Sequence, residues 1–458
     1  MPVAVIVLAA GQSTRMNSDL PKVLHPVAAA PLLAHVLAAA RGLDPARTVV
    51  VVGHGGEAVA AAARAIDPEV AIVEQAEPRG TGHAVLAAAP ALDGFEGDAL
   101  VLYGDTPLVR TGTLQAMLAA RAEGAAVVVL GFETEAPGGY GRLIVDEAGL
   151  AAIVEARDAT PEQRAIRLCN SGLLAADAAL LLDLLAGVEP DNAKGEYYLT
   201  DVVGLARAAG LHATAITCPE EETLGVNART DLAAAEAAFQ ARARAEALAN
   251  GTTLVDPGSV WFALDTVVGR DVVIEPNVFF GPGVTVESGA LIHSFCHLTG
   301  CHISRGAEIG PFARLRPGAE IAEDARIGNF VEVKNSIVEE GAKVNHLSYI
   351  GDTRVGPRSN IGAGTITCNY DGFFKYRTEI GEQAFIGSNT SLVAPVTIGA
   401  GAMVAAGSVI TEDVAPGALA FARARQEGKP GLATKFRERL RALKAARAAP
   451  KAPEKAGA

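Results

Sequence analysis

Between residues 303 and 414 the chain is written in sixes. Ile303, Ile309, Leu315, Ile321, Ile327 and Val333 fall six residues apart, and Ile380, Ile386, Leu392, Ile398, Val404 and Ile410 repeat the interval. Four residues after each stand Ala307, Ala313, Ala319, Ala325, Val331 and Ile337, then Ala384, Thr390, Val396, Ala402, Ser408 and Val414. This second set lies two residues before the next aliphatic position, so on a strand both face the same side. The physical meaning is a solenoid of short strands whose aliphatic and small residues stack into one core, with Gly and polar residues at the corners. If each turn is triangular, three hexapeptides make an 18-residue coil. The stretch "ITCNYDGFFKYRTE", residues 366–379, breaks the period. Insertions in a solenoid project as loops, often on the binding face.

Residues 1 to about 228 follow another grammar. "VAVIVLAA", "TVVVVG", "VAIVEQ", "ALVLYGD" and "AAVVVLGFE" read as strands, and "PLLAHVLAAARGL", "GHAVLAAAPAL" and "TLQAMLAARAEG" between them read as helices. This alternation predicts a parallel sheet covered by helices on both faces. Ligands of such sheets bind beyond the carboxyl ends of the strands. From Asp231 to Ala249 an Ala-rich segment follows Thr230 as its cap and stops at Asn250-Gly251, as one connecting helix would. After about Phe436, a short helix and a Pro/Ala/Lys tail are expected, the tail disordered. The predicted division is residues 1–229, a linker helix 230–250, the repeat domain 251–439 and the tail 440–458.

Composition narrows the setting. A chain of 458 residues, half of them hydrophobic, can fill two or three cores. No apolar run approaches the roughly 18 residues that span a membrane, and "MPVAVIVLAAG" lacks the basic start and cleavage site of a signal peptide. Cys169, Cys218, Cys296, Cys301 and Cys368 form no CxxC pair or zinc spacing, which fits a reducing compartment. A cytoplasmic protein is expected, with no membrane partner. The net charge of −13 argues against nucleic acid as a partner, although the stretch from Arg423 onward is basic. An anionic substrate must therefore be gripped by local pockets.

The opening strand leads into "LAAGQSTRMNSDLPK", residues 8–22. A Gly-containing turn offers free backbone N–H groups, and Arg15 and Lys22 add charge, which is what a triphosphate requires. Taken alone, the stretch is equally compatible with an ordinary turn, since it is neither a Walker loop nor GxGxxG. "YGDTPL" places Asp105 after a strand, where a carboxylate can hold Mg²⁺ between phosphates or simply form a turn. "EQAEPRGTGHA" places Gln75, Gly80 and Thr81 at a strand end and a helix start, where amide and backbone groups can read a base edge.

Together and in this order the pieces resemble the sugar-1-phosphate nucleotidylyltransferases, whose signature after the first strand is LxxGxGTRM…PK. Later stretches match as well: "YGRLI" with Gly141, "IVEARDAT" with Glu155, "CNSG" with Asn170, "GEYYLTD", and "GVNAR" with Asn227. With the repeat behind them, nearly the whole chain is similar to the bifunctional family that joins an N-acetylglucosamine-1-phosphate uridylyltransferase to a glucosamine-1-phosphate N-acetyltransferase. The resemblance implies a Rossmann-like α/β nucleotidyltransferase domain followed by a left-handed parallel β-helix; the handedness comes from the resemblance alone. It implies that Leu8, Ala9, Ala10 and Gly11 hold UTP phosphates, with Arg15 and Lys22 as catalytic cations. Gln75, Gly80 and Thr81 would contact uracil, and Tyr103, Gly104 and Asp105 would belong to the same nucleotide site. Asp105 and Asn227 would bind Mg²⁺, and Gly141, Glu155, Asn170 and Asn227 the sugar. The chain departs from the signature at Ser13, where many relatives carry Gly; a hydroxyl there could donate to a phosphate oxygen.

In the repeat, "RLRPG", "VEVKN", "VNHLSYIGD" and "GAGTITCNYDG" cluster near the inserted loop. Arg316 and Lys334 are 18 residues apart, one triangular coil, so their charges should stack into a phosphate clamp. On the residues alone, the favoured reading of His346 is a structural histidine bonded within a coil, and the others could be an exposed polar face. The resemblance implies that Arg316, Lys334, Tyr349 and Asn360 bind glucosamine-1-phosphate and that His346 is the general base. It assigns Ala363, Asn369, Tyr370, Ser388, Ala406 and Arg423 to acetyl-CoA. It also implies a homotrimer with acyl sites at subunit boundaries, and a product, UDP-N-acetylglucosamine, that feeds peptidoglycan and lipopolysaccharide-type envelope synthesis. Two other readings stand beside this one: nucleotidyl transfer alone with the solenoid as an oligomerisation or regulatory module, and a scaffold subunit with dead sites.

Overall fold

The computed structural model describes residues 1–11, 15–53, 55–192 and 195–448. Its first half is built on seven strands: β1 (Val3–Ala9), β2 (Arg47–Gly53), β3 (Ala71–Gln75), β4 (Asp98–Tyr103), β5 (Val127–Glu133), β6 (Leu168–Asp177) and β7 (Ala213–Thr217). They lie in the order β7-β5-β6-β4-β1-β2-β3. Burial on both faces makes the central strands continuous apolar runs. In β1, Ala4, Ile6 and Leu8 enter one core and Val5, Val7 and Ala9 the other.

The expectation of a parallel sheet needs one correction. Strand β6 runs antiparallel to both of its neighbours, β4 and β5. "LCNSGLLAAD" begins with polar and small residues and carries no strand periodicity, so nothing in it announced a strand. It enters the sheet from the far end, after a hairpin formed by Arg142–Asp146 and Gly149–Val154.

The connecting helix spans Arg229–Ala249, two residues earlier than expected. Its cap is not Thr230. The carboxylate of Asp231 accepts from the backbone N–H of Asn227 and of Ala228, each at 2.9 Å, so an acidic side chain in the first turn satisfies the orphan donors. Glu236 accepts from the Ala28 N–H at 2.7 Å, and buried Gln240 both donates to the Phe262 carbonyl (2.7 Å) and accepts from the Phe262 N–H (2.9 Å). One helix is thus bonded to the first domain and to the first coil of the second.

Beyond it the chain winds into three parallel sheets, each built from one face of successive coils. All twelve aliphatic positions of the repeat lie in a single continuous core. Ile337 is the exception among the inward residues expected: Ser336 and Val338 are buried and Ile337 is only half-buried. The face between Val333 and Val338 is one residue short, and with a side-chain period of two a one-residue slip moves a residue to the other surface.

Corners turn through left-handed residues. Along one edge these are Phe295, Phe312, Phe330 and Leu347, with φ of 62°, 56°, 56° and 50°. Bulky residues seldom adopt this conformation. Here Phe295, Phe312 and Leu347 are tied to the coil before them, through Phe295 N–H to Pro276 O (3.2 Å), Phe312 N–H to Ser294 O (3.1 Å) and Leu347 N–H to Asn329 O (3.0 Å). Coil spacing of about 4.8 Å also brings the rings to stacking distance. Their centroids are 4.8 Å apart for Phe295 and Phe312 and 5.1 Å for Phe312 and Phe330.

The last helix, Leu432–Ala448, runs through residues 440–448, which were expected in the tail. Their Ala, Leu, Arg and Lys content is that of a good helix former. The remainder of the expected disordered tail, 449–458, lies outside the described residues.

Coil stacking leaves no room for a side chain at Gly328, where a Cβ would run into the Asn345 carbonyl oxygen of the next coil. Gly328→Ala should cost about 3 kcal/mol or more, because backbone rather than a flexible side chain must move. A lowered midpoint in thermal or denaturant unfolding checks this, and an unchanged midpoint would contradict the stacking.

Candidate active sites

Strands β1 and β4 are parallel neighbours with Leu8 opposite Tyr103, so their carboxyl ends emerge side by side. This brings Leu8, Ala9, Ala10 and Gly11 next to Tyr103, Gly104 and Asp105, and the Gly104 N–H donates to the Leu8 carbonyl at 2.9 Å. A cavity of about 220 Å³ opens on the β2 side of the same loop, between Ala9, Gly11, Ser18, Asp19, Lys22 and Gly53. Arg15 is exposed at the same loop. Ser13 lies outside the described residues.

Lys22, Asp105 and Asn227 are 205 positions apart at their extremes and meet at one atom. The Lys22 ammonium forms an ion pair with Asp105 Oδ2 and donates to Asn227 Oδ1 at 3.0 Å. A carboxylate and an amide oxygen converging on one cation are hard oxygen donors of the kind Mg²⁺ takes. Val226 N–H donates to the Asp105 carbonyl (2.9 Å), and the Asp231 cap fixes the backbone of Asn227.

At the end of β3 the Gln75 amide donates to Gly80 O (3.0 Å) and lies 3.0 Å from His83 Nδ1. Gly80 has φ of 109°, and a Cβ there would stand 2.6 Å from the Tyr197 carbonyl oxygen, so only glycine fits. Thr81 opens the following helix and accepts from Leu199 N–H at 3.1 Å. Gly141, Glu155 and Asn170 also come together. Asn170 N–H donates to Gly141 O at 2.9 Å, and a Cβ on Gly141 would stand 3.3 Å from Ile153 Cγ2, 3.5 Å from Asn170 Cβ and 3.6 Å from Glu155 Oε1. Burial pushes the Tyr103 phenol well above its usual range, so it stays neutral.

In the β-helix, residues far apart in sequence form a straight file along one corner. Asn329 pairs with His346, Gly364 N–H donates to His346 O (3.2 Å), Asn389 N–H to Ala363 O (2.7 Å) and Gly407 N–H to Ser388 O (2.8 Å). Arg423 Nη1 donates to the Ala406 carbonyl at 2.5 Å. His346, Ala363, Ser388, Ala406 and Arg423 therefore climb the corner one coil at a time, over roughly 19 Å at the usual strand spacing. Beside the file the aromatic ridge gives way, above Leu347, to Gly364, Asn389 and Gly407.

Arg316 and Lys334 stack on consecutive coils, with Arg316 N–H bonded to Val333 O at 2.9 Å. Arg316 also pairs with Glu332 at 2.8 Å. The Lys375 ammonium beside Lys334, then burial and Arg316, hold Lys334 below the usual lysine range, with Asp352 opposing. Tyr349 shares this face, whereas Asn360 lies on the next sheet, around the His346 corner. Tyr370 is exposed on the inserted loop, its hydroxyl donating to Gly372 O at 2.6 Å. A single chain thus presents these groups on a convex edge and does not enclose them.

Several contributors carried no sequence signal that singled them out. Asn329 Oδ1 is 2.8 Å from His346 Nδ1, a contact that favours the neutral tautomer with the proton on Nδ1 and the lone pair on Nε2. Arg229 donates to Met16 O (3.2 Å) and its Nη1 lies 3.3 Å from His25 Nδ1, tying the loop after β1 to the Lys22 and Asn227 segments. Asp231 could have been found by reading the helix from Arg229. Burial pushes Cys296 up to about 11 and Cys301 up to about 12, so neither is a nucleophile near neutrality.

Family models agree with both halves. Residues 5–176 match the MobA-like NTP transferase domain and residues 377–412 the bacterial transferase hexapeptide (six repeats). The chain is 64% identical over 449 residues to the bifunctional protein GlmU of Dinoroseobacter shibae, covering 98% of this chain and 100% of that one. The GlmU of Jannaschia sp. is 62% identical over 446 residues, 97% of this chain and 98% of the relative. The chain belongs to the bifunctional GlmU family. That of Ruegeria sp., 62% identical over 98% of this chain and all of its own, extends the same GlmU likeness across both domains.

The tautomer at His346 is open to measurement. Asn329→Ala should shift the imidazole from the Nδ1–H form towards a mixture with Nε2–H, visible in ¹⁵N-resolved NMR of the ring. An unchanged spectrum would mean that Asn329 does not select the tautomer.

Proposed function

We infer that this chain makes UDP-N-acetylglucosamine in two steps at two separate sites: acetyl transfer from acetyl-CoA to glucosamine-1-phosphate, then uridylyl transfer from UTP to the N-acetylated product. The observation that carries this reading is the presence in one chain of both the Lys22–Asp105–Asn227 cluster and the His346 file. Residues 1–229 serve the second step, 251–439 the first, and the helix between joins them.

In the acetyl step the sugar phosphate is held by Arg316, Lys334 and Tyr349, with Asn360 supplied from around the corner. His346 Nε2, its lone pair exposed by the Nδ1 contact, takes the proton from the sugar amine. The amine attacks the thioester carbonyl, the C–S bond breaks and the proton ends on the CoA sulfur. Ala363, Asn369, Tyr370, Ser388, Ala406 and Arg423 line the path of acetyl-CoA. A convex edge cannot exclude water, so a second copy of the chain closes the site, consistent with a trimer.

In the uridylyl step the sugar-phosphate oxygen attacks the α-phosphorus of UTP in line and pyrophosphate leaves. Nucleophile and leaving group are both anionic, so the work is positioning and charge neutralisation. Leu8 to Gly11, Arg15 and Lys22 grip the phosphates, Gln75, Gly80 and Thr81 face uracil, and Gly141, Glu155 and Asn170 hold the sugar. Asp105 and Asn227 are the residues that would hold Mg²⁺, which when bound neutralises phosphate charge. Among the described residues the five cysteines are free and no helix is long and apolar enough to cross a membrane, which supports work in the cytoplasm. The reading with nucleotidyl transfer alone is not favoured, because a purely structural solenoid has no use for a histidine with a selected tautomer at its edge.

Supplying glucosamine-1-phosphate, acetyl-CoA, UTP and Mg²⁺, and omitting each in turn, should yield UDP-N-acetylglucosamine by mass only in the complete mixture. His346→Ala should abolish acetyl transfer and spare uridylyl transfer, and Asp105→Ala should do the reverse. Loss of both activities in either variant would count against two independent sites.

A further inference from the structure

The inserted loop is pinned at both ends to one residue that no role above includes. Asp352 stands at a corner with φ of 48°, one coil below the point where the loop leaves the solenoid. Its Oδ2 accepts from the Asn369 side-chain amide at the start of the loop, and its carbonyl accepts from Thr378 N–H (3.2 Å), where the chain rejoins the coil. Its Oδ1 accepts from Asn335 Nδ2 at 2.5 Å, one coil further down. Burial would raise this carboxyl, but Asn335, Asn369 and the ammonium groups of Lys334 and Lys375 hold it below the usual range, so it is a carboxylate when it accepts.

Asn369, which Asp352 holds, is nearly buried, so its amide has few directions left to face. Asn369 Nδ2 and the Tyr349 hydroxyl both lie over Gly351: a Cβ on that glycine would be 2.8 Å from the first and 2.5 Å from the second. Glycine leaves open the space in which two polar groups converge beside the cations. One N–H of the Asn369 amide is spent on Asp352, which leaves the second N–H and Oδ1 for a ligand.

We propose that Asp352 is a positioning residue for acetyl transfer, acting through Asn369: its carboxylate fixes the amide over Gly351 so that the free N–H meets the reacting acyl group. The proposal rests on the acetyltransferase reading of this site. It also explains the residue type. Asparagine tolerates the left-handed backbone, so Asp352→Asn leaves the fold intact. A neutral amide, however, can offer its oxygen to only one of the two flanking Asn donors and turns an N–H towards the other.

The test measures acetyl and uridylyl turnover on the full chain for wild type, Asp352→Asn, Asn335→Ala, Asn369→Ala and the Asp352→Asn/Asn369→Ala double variant. Asp352→Asn should lower acetyl-transfer kcat about ten- to a hundred-fold, as misplacing a reacting-group contact does, with uridylyl turnover unchanged. Asn335→Ala, which spares the Asn369 contact, should lower it far less. In the Asn369→Ala background, Asp352→Asn should add less than about twofold, because the two act as one unit. Additive losses, equal losses from Asp352→Asn and Asn335→Ala, or wild-type kcat in Asp352→Asn would each overturn the proposal. Absence of acetyl transfer in the wild-type chain would overturn the reading of the site along with it.

Discussion

Stacking of equal coils is the constraint from which the second half of the molecule follows. Each short strand bonds its backbone to the coils above and below, so a residue's true neighbours are one coil away along the sequence. Side chains of like position therefore form files, and a file is a ready-made binding edge. His346, Ala363, Ser388, Ala406 and Arg423 form one, and Arg316 and Lys334 another. Neither needs a pocket within the chain.

The first half solves the same problem differently. A doubly covered sheet gathers its ligands at strand ends, and β1 and β4, being parallel neighbours, deliver the loop after Ala9 and Asp105 to one place. Lys22 and Asn227 arrive from loops far apart in the chain. Both meet Asp105 there, a paired cation and carboxylate set in a protein whose net charge is −13.

Much of this was legible because it is periodic. Ile303 to Val333 and Ile380 to Ile410 had to face inward once the period was seen, and all are buried. Ile337 was misread because the short face at Val338 resets the phase, and a phase reset leaves no trace in composition. Strand β6 escaped because Cys169, Asn170, Ser171 and Gly172 have no strand propensity; pairing of Cys169 and Asn170 with β5 and of Leu174 to Ala176 with both β4 and β5, either side of an irregularity, makes the strand. Candidate site residues were legible where family motifs mark them. Asn329, Asp352 and Arg229 were not, since each acts on a partner that only folding brings near.

The misreading at Ile337 points to a wider rule. The faces from Leu298 to Ile303, Val333 to Val338 and Ile350 to Val355 all drop a residue, and all do so at the corner that carries Gly300, Asn335 and Asp352. The loop after Cys368 is inserted at that same corner. A solenoid has a reading frame, in which a slip in mid-face would turn core outward, whereas a corner has no inside to lose. One edge of this prism therefore absorbs every change of length between residues 298 and 380. The other two keep strict count, and that leaves a single edge along which such a chain can be edited without being unwound.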